Sequence, residues 1–590
     1  VVTASRIETP LRQVGAAVSV ITGENVRLRG YNSMADVLRT QPGIAVSSAG
    51  GVGKTTTLRI RGEDGFRTLA LIDGVKISDP TAPQVGPSFD DLLTTSDLAR
   101  VEVLRGPQGF IYGADAGGVV NIMTRTGEGP MGGLLGFEVG DYGTSRLDAN
   151  ASGGSERGDY FVSATRLRSD GFNARIADVA VADADGYDNT SLHAKLGWNA
   201  TDNLRLQVVA RDVDARNEYD ACGFPTTYDC VGTSRRQTYR VSADLDTGKL
   251  GNLFAFSNTD VDTDNLADGE STFATDGGLA RAEYVGSYAP TESVTLVYGA
   301  ELQRERIRSS PDAARRDQKA YFFEYQGRIN EHVFVSAGSR YDDNEVFGHH
   351  TSSRLSAAYL QDLADGATIK YRASVGTGFR APSLYELAYN RGPFALPPAA
   401  GVELTEESTS GYDLGVEFFG ASGLSAELTY FEQRIEDEIR FDLSGFSGYL
   451  QPSGTTTSEG VELGLTVPVG EQWSFLGNFT YNRTEDSQGL QRIRRPRKFG
   501  NFGARYLSPS EKLRLIANYR LSRDAVDAIF GLGRVPLDDY DVLDVSVSYA
   551  LSGLLELYGR AENLTDERYE EVTGFNTAGR TLWTGVRLRF

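Results

Sequence analysis

The sequence predicts an all-β transmembrane barrel of about 22 antiparallel strands, with residues 1–128 folded as a mixed α/β plug inside its lumen. Three observations carry this. From Gly129 onward the chain is a succession of short segments with period-two hydrophobicity, separated by clusters of Asp, Asn, Gly, Ser and Thr. The composition is rich in Gly (67 of 590 residues) and aromatics (10%) but only 40% hydrophobic, which is low for a set of soluble globular domains. Before Gly129 the rhythm is absent, and short β-branched runs alternate with glycine turns and a helical segment.

Taken in order, the first element with a clear boundary is a helix at Ser33–Arg39. Ser33 and Asp36 have the capping-box spacing, with Asp in place of Glu or Gln. Met34, Val37 and Leu38 form the apolar face, and Pro42-Gly43 stops the helix. Leu69–Gly74 and Val101–Gly106 read as strands ending in turns.

Past Gly129, Leu204, Leu206, Val208 and Ala210 alternate with Arg205, Gln207 and Arg211, and Ile369, Tyr371, Ala373 and Val375 with Lys370, Arg372 and Ser374. Leu543–Tyr549 and Leu555–Arg560 repeat the pattern. Soluble sandwiches and propellers also alternate. Here, however, Arg, Glu and Asp return strand after strand, as the lining of a wet interior requires. Residues 129–590, at ~9–11 residues per strand and about as many per connection, yield about 22 strands. A barrel of that width cannot be filled by its own side chains, so it needs a plug or becomes a pore.

The last strand, Leu582–Phe590, puts Leu582, Val586, Leu588 and Phe590 on one face and Trp583, Arg587 and Arg589 on the other. Its terminal Phe resembles the assembly signal of bacterial outer-membrane barrels.

Other classes are excluded by simple chemistry. Fifty-nine basic against 80 acidic residues, a net charge of -21, is wrong for a partner held through phosphates along a nucleic acid. No stretch approaches the roughly 18 apolar residues of a membrane-crossing helix. Val1–Arg6 shows no signal-peptide pattern, as a mature or trimmed chain would not. His193, His332, His349 and His350 have no metal-ligand spacing, and no Gly-x-Ser-x-Gly elbow stands out. Gly50–Thr55 imitates a phosphate-binding loop, but Ser48 occupies the first glycine position and a strand, not a helix, follows. Cys222 and Cys230, eight apart in a turn-rich stretch, suit a small disulfide-closed loop in an oxidising compartment; two free thiols are the other reading.

Five stretches, Asp36–Ile44, Leu58–Gly62, Leu71–Val75, Val101–Pro107 and Tyr112–Ile122, resemble in order the plug motifs of TonB-dependent outer-membrane transporters. Ala561–Asp566 and the final strand extend the resemblance across essentially the whole chain. Within the family, Val1–Arg6 and Gly574–Arg580 are similar to the cobalamin (vitamin B12) branch, while ferric-siderophore and haem receptors share the plug motifs. The resemblance implies a monomer in the bacterial outer membrane, in contact with lipid, importing a large scarce ligand with energy from the TonB C-terminal domain and performing no covalent chemistry. A barrel enzyme such as a lipase or protease, and a cell-surface adhesin, are the alternatives from other classes.

The same resemblance assigns residues. Val1, Val2, Thr3 and Ala4 match the tail of the TonB-coupling segment, and β-branched residues suit strand addition to a partner's sheet edge; a plain first plug strand is the other reading. Plug apices at Ala49–Thr56 and Pro80–Ser88 would meet the ligand through Gly51, Gly53, Lys54, Thr56, Val85 and Ser88. Asp183, Asp185, Asp220 and Asp229 match positions where calcium orders the outer loops, with Asn173 replacing a family aspartate; the EF-hand pattern fails at Val181, and a solvated acidic rim is the other reading. Arg61 and Arg105 of the plug, with Glu417 and Glu462 of the wall, would lock the closed state.

Overall fold

The computed structural model describes every residue except 1, 4–5, 84, 115–116, 179–181, 223–225, 309–312 and 530. Twenty-two antiparallel strands close into one barrel, and the first, Gly132–Gly140, pairs with the last, Thr581–Arg589, with Phe137 opposite Val586. The period-two pattern resolves as expected. Leu135, Phe137, Leu192, Leu355, Leu463 and Leu588 are exposed on the outside, while Arg340, Asp342, Glu301 and Arg372 are buried inside. The sandwich reading fails because a single closed sheet separates an apolar exterior from a charged interior, as a lipid-facing wall must.

The two rims differ. One carries turns such as 156–157, 200–203, 292–293 and 470–472, the other carries long connections such as 381–406, 437–454 and 563–580. Short turns mark the periplasmic side and long loops the cell surface. Trp198 and Trp473, both exposed beside short turns, sit where an interfacial aromatic belt belongs.

The chain leaves the plug sheet at the end of Gly118–Thr124 and enters the barrel at Gly132. The plug is a five-stranded sheet in the order Val18–Thr22, Leu98–Arg105, Gly118–Thr124, Thr68–Ile72 and Val75–Lys76, plus a hairpin of Ile44–Ser48 and Thr56–Ile60. Its core, with Met34, Val37, Leu38, Ile44, Leu58 and Val101 among its members, is fully buried.

The predicted helix forms over Met34–Leu38 with Ser33 as its N-cap, but the capping box does not close: Ser33 accepts from the Ala35 amide, and Asp36 instead pairs with Arg39 at 3.2 Å. An aspartate side chain is one methylene shorter than the glutamate the motif wants. Three α-helices among the described residues were not foreseen, one of them the single turn Gly109–Tyr112. Gly23–Arg29 is short, and Leu384–Arg391 lies inside a surface loop behind a complete Ser383/Glu386 capping box. The Gly50–Thr55 segment is the turn of the plug hairpin and runs into a strand, so the phosphate-loop resemblance is empty. Cys222 and Cys230 are bonded, which settles the choice between disulfide and free thiols.

Candidate functional site at the outer face of the plug

Between the plug apex and the wall lies a cavity of about 180 Å³ that opens toward the long-loop rim. The plug supplies Tyr31, Asp36, Arg39, the hairpin turn and Phe89; the barrel supplies Tyr142, Phe172, Tyr187, Arg520, Asp544, Glu571 and Trp583. Sequence neighbours contribute little to one another here, because the site is assembled from strands and loops hundreds of residues apart.

Of the residues expected at the ligand, Gly51, Gly53 and Thr56 line this cavity. The glycines have a further reason to be there. Both have positive φ (+97° and +78°), and a Cβ on Gly53 would stand 2.1 Å from Cδ2 of Tyr187, one on Gly51 3.1 Å from the Phe172 ring. The turn therefore presses its backbone flat against wall aromatics, which only glycine permits.

Three of the other assignments need correcting. Lys54 is buried, and its Nζ donates to the carbonyls of Asp185 (3.0 Å) and Gly186 (3.1 Å), so it ties the turn to the wall instead of facing the cavity. Burial pushes its amine down to about 8 against the pull of Asp185. Val85 lines a separate small cavity with Phe66 and Ala381, and Ser88 spends its hydroxyl on Asp90 at 2.9 Å.

The polar lining is acidic. Asp36, Asp90, Asp185, Asp544, Glu562 and Glu571 face two guanidiniums, Arg39 and Arg520. Arg39 is already held by Glu571 (2.6 Å) and Asp36 (3.2 Å). Arg520 donates to the Tyr569 hydroxyl at 3.0 Å and lies in the field of Glu571 and Asp544. Glu571 also accepts from the Ser48 amide at 3.0 Å, joining loop 563–580 to the plug hairpin. Although burial alone would raise it, Arg39 and then Arg520 hold Glu571 below the usual carboxylate range. Burial and then Asp91 push Asp90 up to about 6. On the floor, the Tyr31 hydroxyl donates to Asp544 at 2.8 Å.

Of the four residues expected to join plug and wall, three meet. Glu462 takes Arg61 (2.8 Å) and Arg105 (2.7 Å) together, and Arg105 also reaches Glu427 at 3.1 Å. Glu417 is not part of that clasp: it pairs with Lys370 (3.2 Å) and Arg372 (2.6 Å) of its own wall, because the neighbouring strand's cations reach it first. Sequence reasoning missed the companion locks Arg67–Glu407 (2.6 Å), Arg6–Glu301 (3.1 Å), Arg236–Asp91 (2.9 Å) and Arg211–Asp97 (3.1 Å). The only signal available was the recurrence of inward charges.

At the N-terminus, Val1 and Ala4 lie outside the described residues. Val2 exchanges backbone hydrogen bonds with Thr9 and is buried in the plug core, and Thr3 donates its amide and hydroxyl to Glu102 at 2.8 and 2.7 Å. Val2 and Thr3 are therefore docked on the plug.

The acidic loop residues differ in exposure. Asp185 is buried and accepts from the Ala174 amide at 2.7 Å, whereas Asp183 and Asp229 are exposed. Both oxygens of Asp220 are buried without a partner among the described residues. Among the described residues no group of three or more His, Cys, Asp or Glu side chains is arranged to hold a metal ion.

The comparisons agree on the family. Residues 133–564 match the model of the TonB dependent receptor-like β-barrel, and residues 10–120 that of the TonB-dependent receptor plug domain. The vitamin B12 transporter BtuB of Photobacterium profundum is 26% identical over 612 residues, covering 100% of this chain and 95% of that protein. The iron-regulated outer membrane virulence protein of Vibrio cholerae is 27% identical over 651 residues, with the same coverage. Among solved structures, the ferric enterobactin receptor of Pseudomonas aeruginosa superposes with a TM-score of 0.83 at 19% identity, covering 98% of this chain and all of that one. The siderophore receptor PirA of Acinetobacter baumannii gives 0.81 at 18%, covering 98% of each chain. Likeness at these identities establishes the fold.

Proposed function

Because the chain belongs to the TonB-dependent receptor family, we propose that this outer-membrane transporter, which is not an enzyme, imports cobalamin or a related corrinoid. The observation that carries the reading is the cavity chemistry: six carboxyl groups, two guanidiniums already engaged, and a surround of Tyr, Phe and Trp rings. Ferric catecholates are anionic and would meet like charge on entry, at a Coulombic cost that grows as water is squeezed out. A bulky ligand whose periphery is mostly neutral amides meets aromatic faces for packing and carboxylates that accept its N–H groups. The relatives named vitamin B12 transporters, similar along the full length of this chain, support the same choice.

Coupling through Val1–Ala4 belongs to this proposal. A pull by TonB on that segment would first break the Val2–Thr9 bridge and the Thr3–Glu102 hydrogen bonds, which join the terminus to the plug strand Leu98–Arg105. The Glu102 carboxylate also holds Arg100 at 2.9 Å, so the strain passes directly into the plug sheet.

Calorimetric titration of the detergent-purified chain with cyanocobalamin and, separately, ferric enterobactin tests the ligand. Cyanocobalamin should bind more tightly than about 1 μM and the iron chelate at least about a hundredfold more weakly. The reverse order would return the chain to the siderophore branch.

A further inference from the structure

A second cavity lies under the first, at the short-turn rim, between the plug helix Gly23–Arg29 and the wall strands Gly132–Gly140, Thr144–Ser155, Leu555–Glu562 and Thr581–Arg589. It touches the outer cavity at Tyr31. Its chemistry is the opposite of its neighbour's. Arg27, Arg125 and Arg587 line it, with Arg589 in the field of the same group.

These four guanidiniums share one carboxylate. Glu556 gives one oxygen to Arg587 (2.7 Å) and the other to Arg589 (2.9 Å). Arg587 also stacks on the Tyr558 ring, 3.7 Å from its centroid. The two other acids on the cavity wall pair with arginines of the wall, Glu138 through Oε2 with Arg560 at 2.6 Å and Asp148 with Arg146 at 2.6 Å, while Oε1 of Glu138 has no partner among the described residues. Arg125 donates only to the Leu98 carbonyl at 3.3 Å, and Nε of Arg27 is buried with no partner among the described residues. Burial and then Arg589 push Arg27 down to about 10, with Glu556 opposing and Arg587 and Arg125 adding to the effect. The helix C-terminus beside Arg27 accounts for a cation in that turn but not for three more facing it. In a chain of net charge -21, a surplus of positive charge converging on a cavity is chemistry that suits an anion.

We propose that this inner cavity binds a phosphate-type oxyanion between Arg27 and Arg125, backed by Arg587 and Arg589. The geometry stands whatever the cargo is. An acidic outer chamber above a basic inner one would draw a ligand carrying a phosphate group inward once the plug yields, and would also accept free phosphate from the periplasm.

The test uses the full chain in detergent at low ionic strength, titrated calorimetrically with inorganic phosphate and, separately, with the phosphodiester dimethyl phosphate. Saturable binding of the diester supports a site for esterified phosphate, and of inorganic phosphate alone a site for the free ion. Arg27→Gln/Arg125→Gln should weaken either by about tenfold or more, while Arg166→Gln, at an exposed outer-rim arginine, leaves it unchanged. No saturable binding of either probe, or equal affinity in the double variant, overturns the proposal. If the double variant loses the heat-modifiable gel migration of a folded barrel, Arg125→Gln alone carries the test, since Arg125 is solvent-exposed.

Discussion

Arg61 of the plug and Glu462 of the barrel wall form a two-pronged ion pair, Nε to Oε1 at 2.8 Å and Nη2 to Oε2 at 3.1 Å, with both side chains at most 1% exposed. Arg105 joins the same carboxylate, so one wall residue pairs with two plug cations, and Glu427 and Asp413 complete the countercharge. Burying charges is costly, and such a clasp adds little net stability over apolar packing; what it supplies is register for a domain that must later move.

Glu462→Gln leaves Arg61 with only Asp413 at 3.6 Å and Arg105 with only Glu427 at 3.1 Å as ion-pair partners among the described residues, a loss of about 3 kcal/mol in plug docking. The urea concentration at which the protein begins to conduct ions in a planar bilayer should fall. Glu417→Gln, which removes charge only from a wall-to-wall network, should shift that onset much less. Equal shifts would mean that the clasp has no special role.

Gly53→Ala adds a Cβ where the Tyr187 ring already stands and forces a positive φ on a residue that resists it, at about 1–2 kcal/mol for the backbone alone. Amide hydrogen exchange over residues 48–56 should accelerate by about tenfold. Tyr187→Ala in the same chain removes the clash and should recover part of the protection; no recovery would place the effect in the backbone only.

The surface loop 220–229 should be sensitive to pH. Burial, then Asp185, Asp183 and Asp178, push Asp220 from its ordinary 3.8 to about 7. A carboxyl raised in the folded state contributes stability that is complete below its unfolded value and disappears as pH rises through the folded one. Proteolytic nicking of this loop should therefore increase between pH 5 and pH 8. Asp220→Asn should abolish the step; a step that persists assigns it to another group.

Replacing Cys222 and Cys230 by Ser removes the covalent closure of the same loop. For a short loop the effect lies near the lower end of ~2–4 kcal/mol and should remain local. Hydrogen exchange should rise over 220–229 and stay unchanged in the wall strands. Loss of barrel assembly would show that the bond also guides folding.

Much of this molecule is written in local pattern. Strand alternation such as Leu204–Ala210 against Arg205–Arg211 follows from the pleat, which sends successive side chains to opposite faces, and a lipid exterior against a wet interior makes the two faces chemically unlike. The width of the barrel and its need for a plug followed from spacing and composition, the plug apex at Ala49–Thr56 from the family resemblance, and the cysteines' spacing left a disulfide and two free thiols both open. Partnership did not follow from pattern. That Lys54 turns into the wall, that Glu462 and not Glu417 receives the plug arginines, and that Asp220 loses water while Asp229 keeps it depend on which strand passes which loop at a separation of hundreds of residues. A charge on a strand reveals its face but not the cation that will reach it, because that choice is made by distances of a few ångströms that exist only once the sheet has closed around the plug.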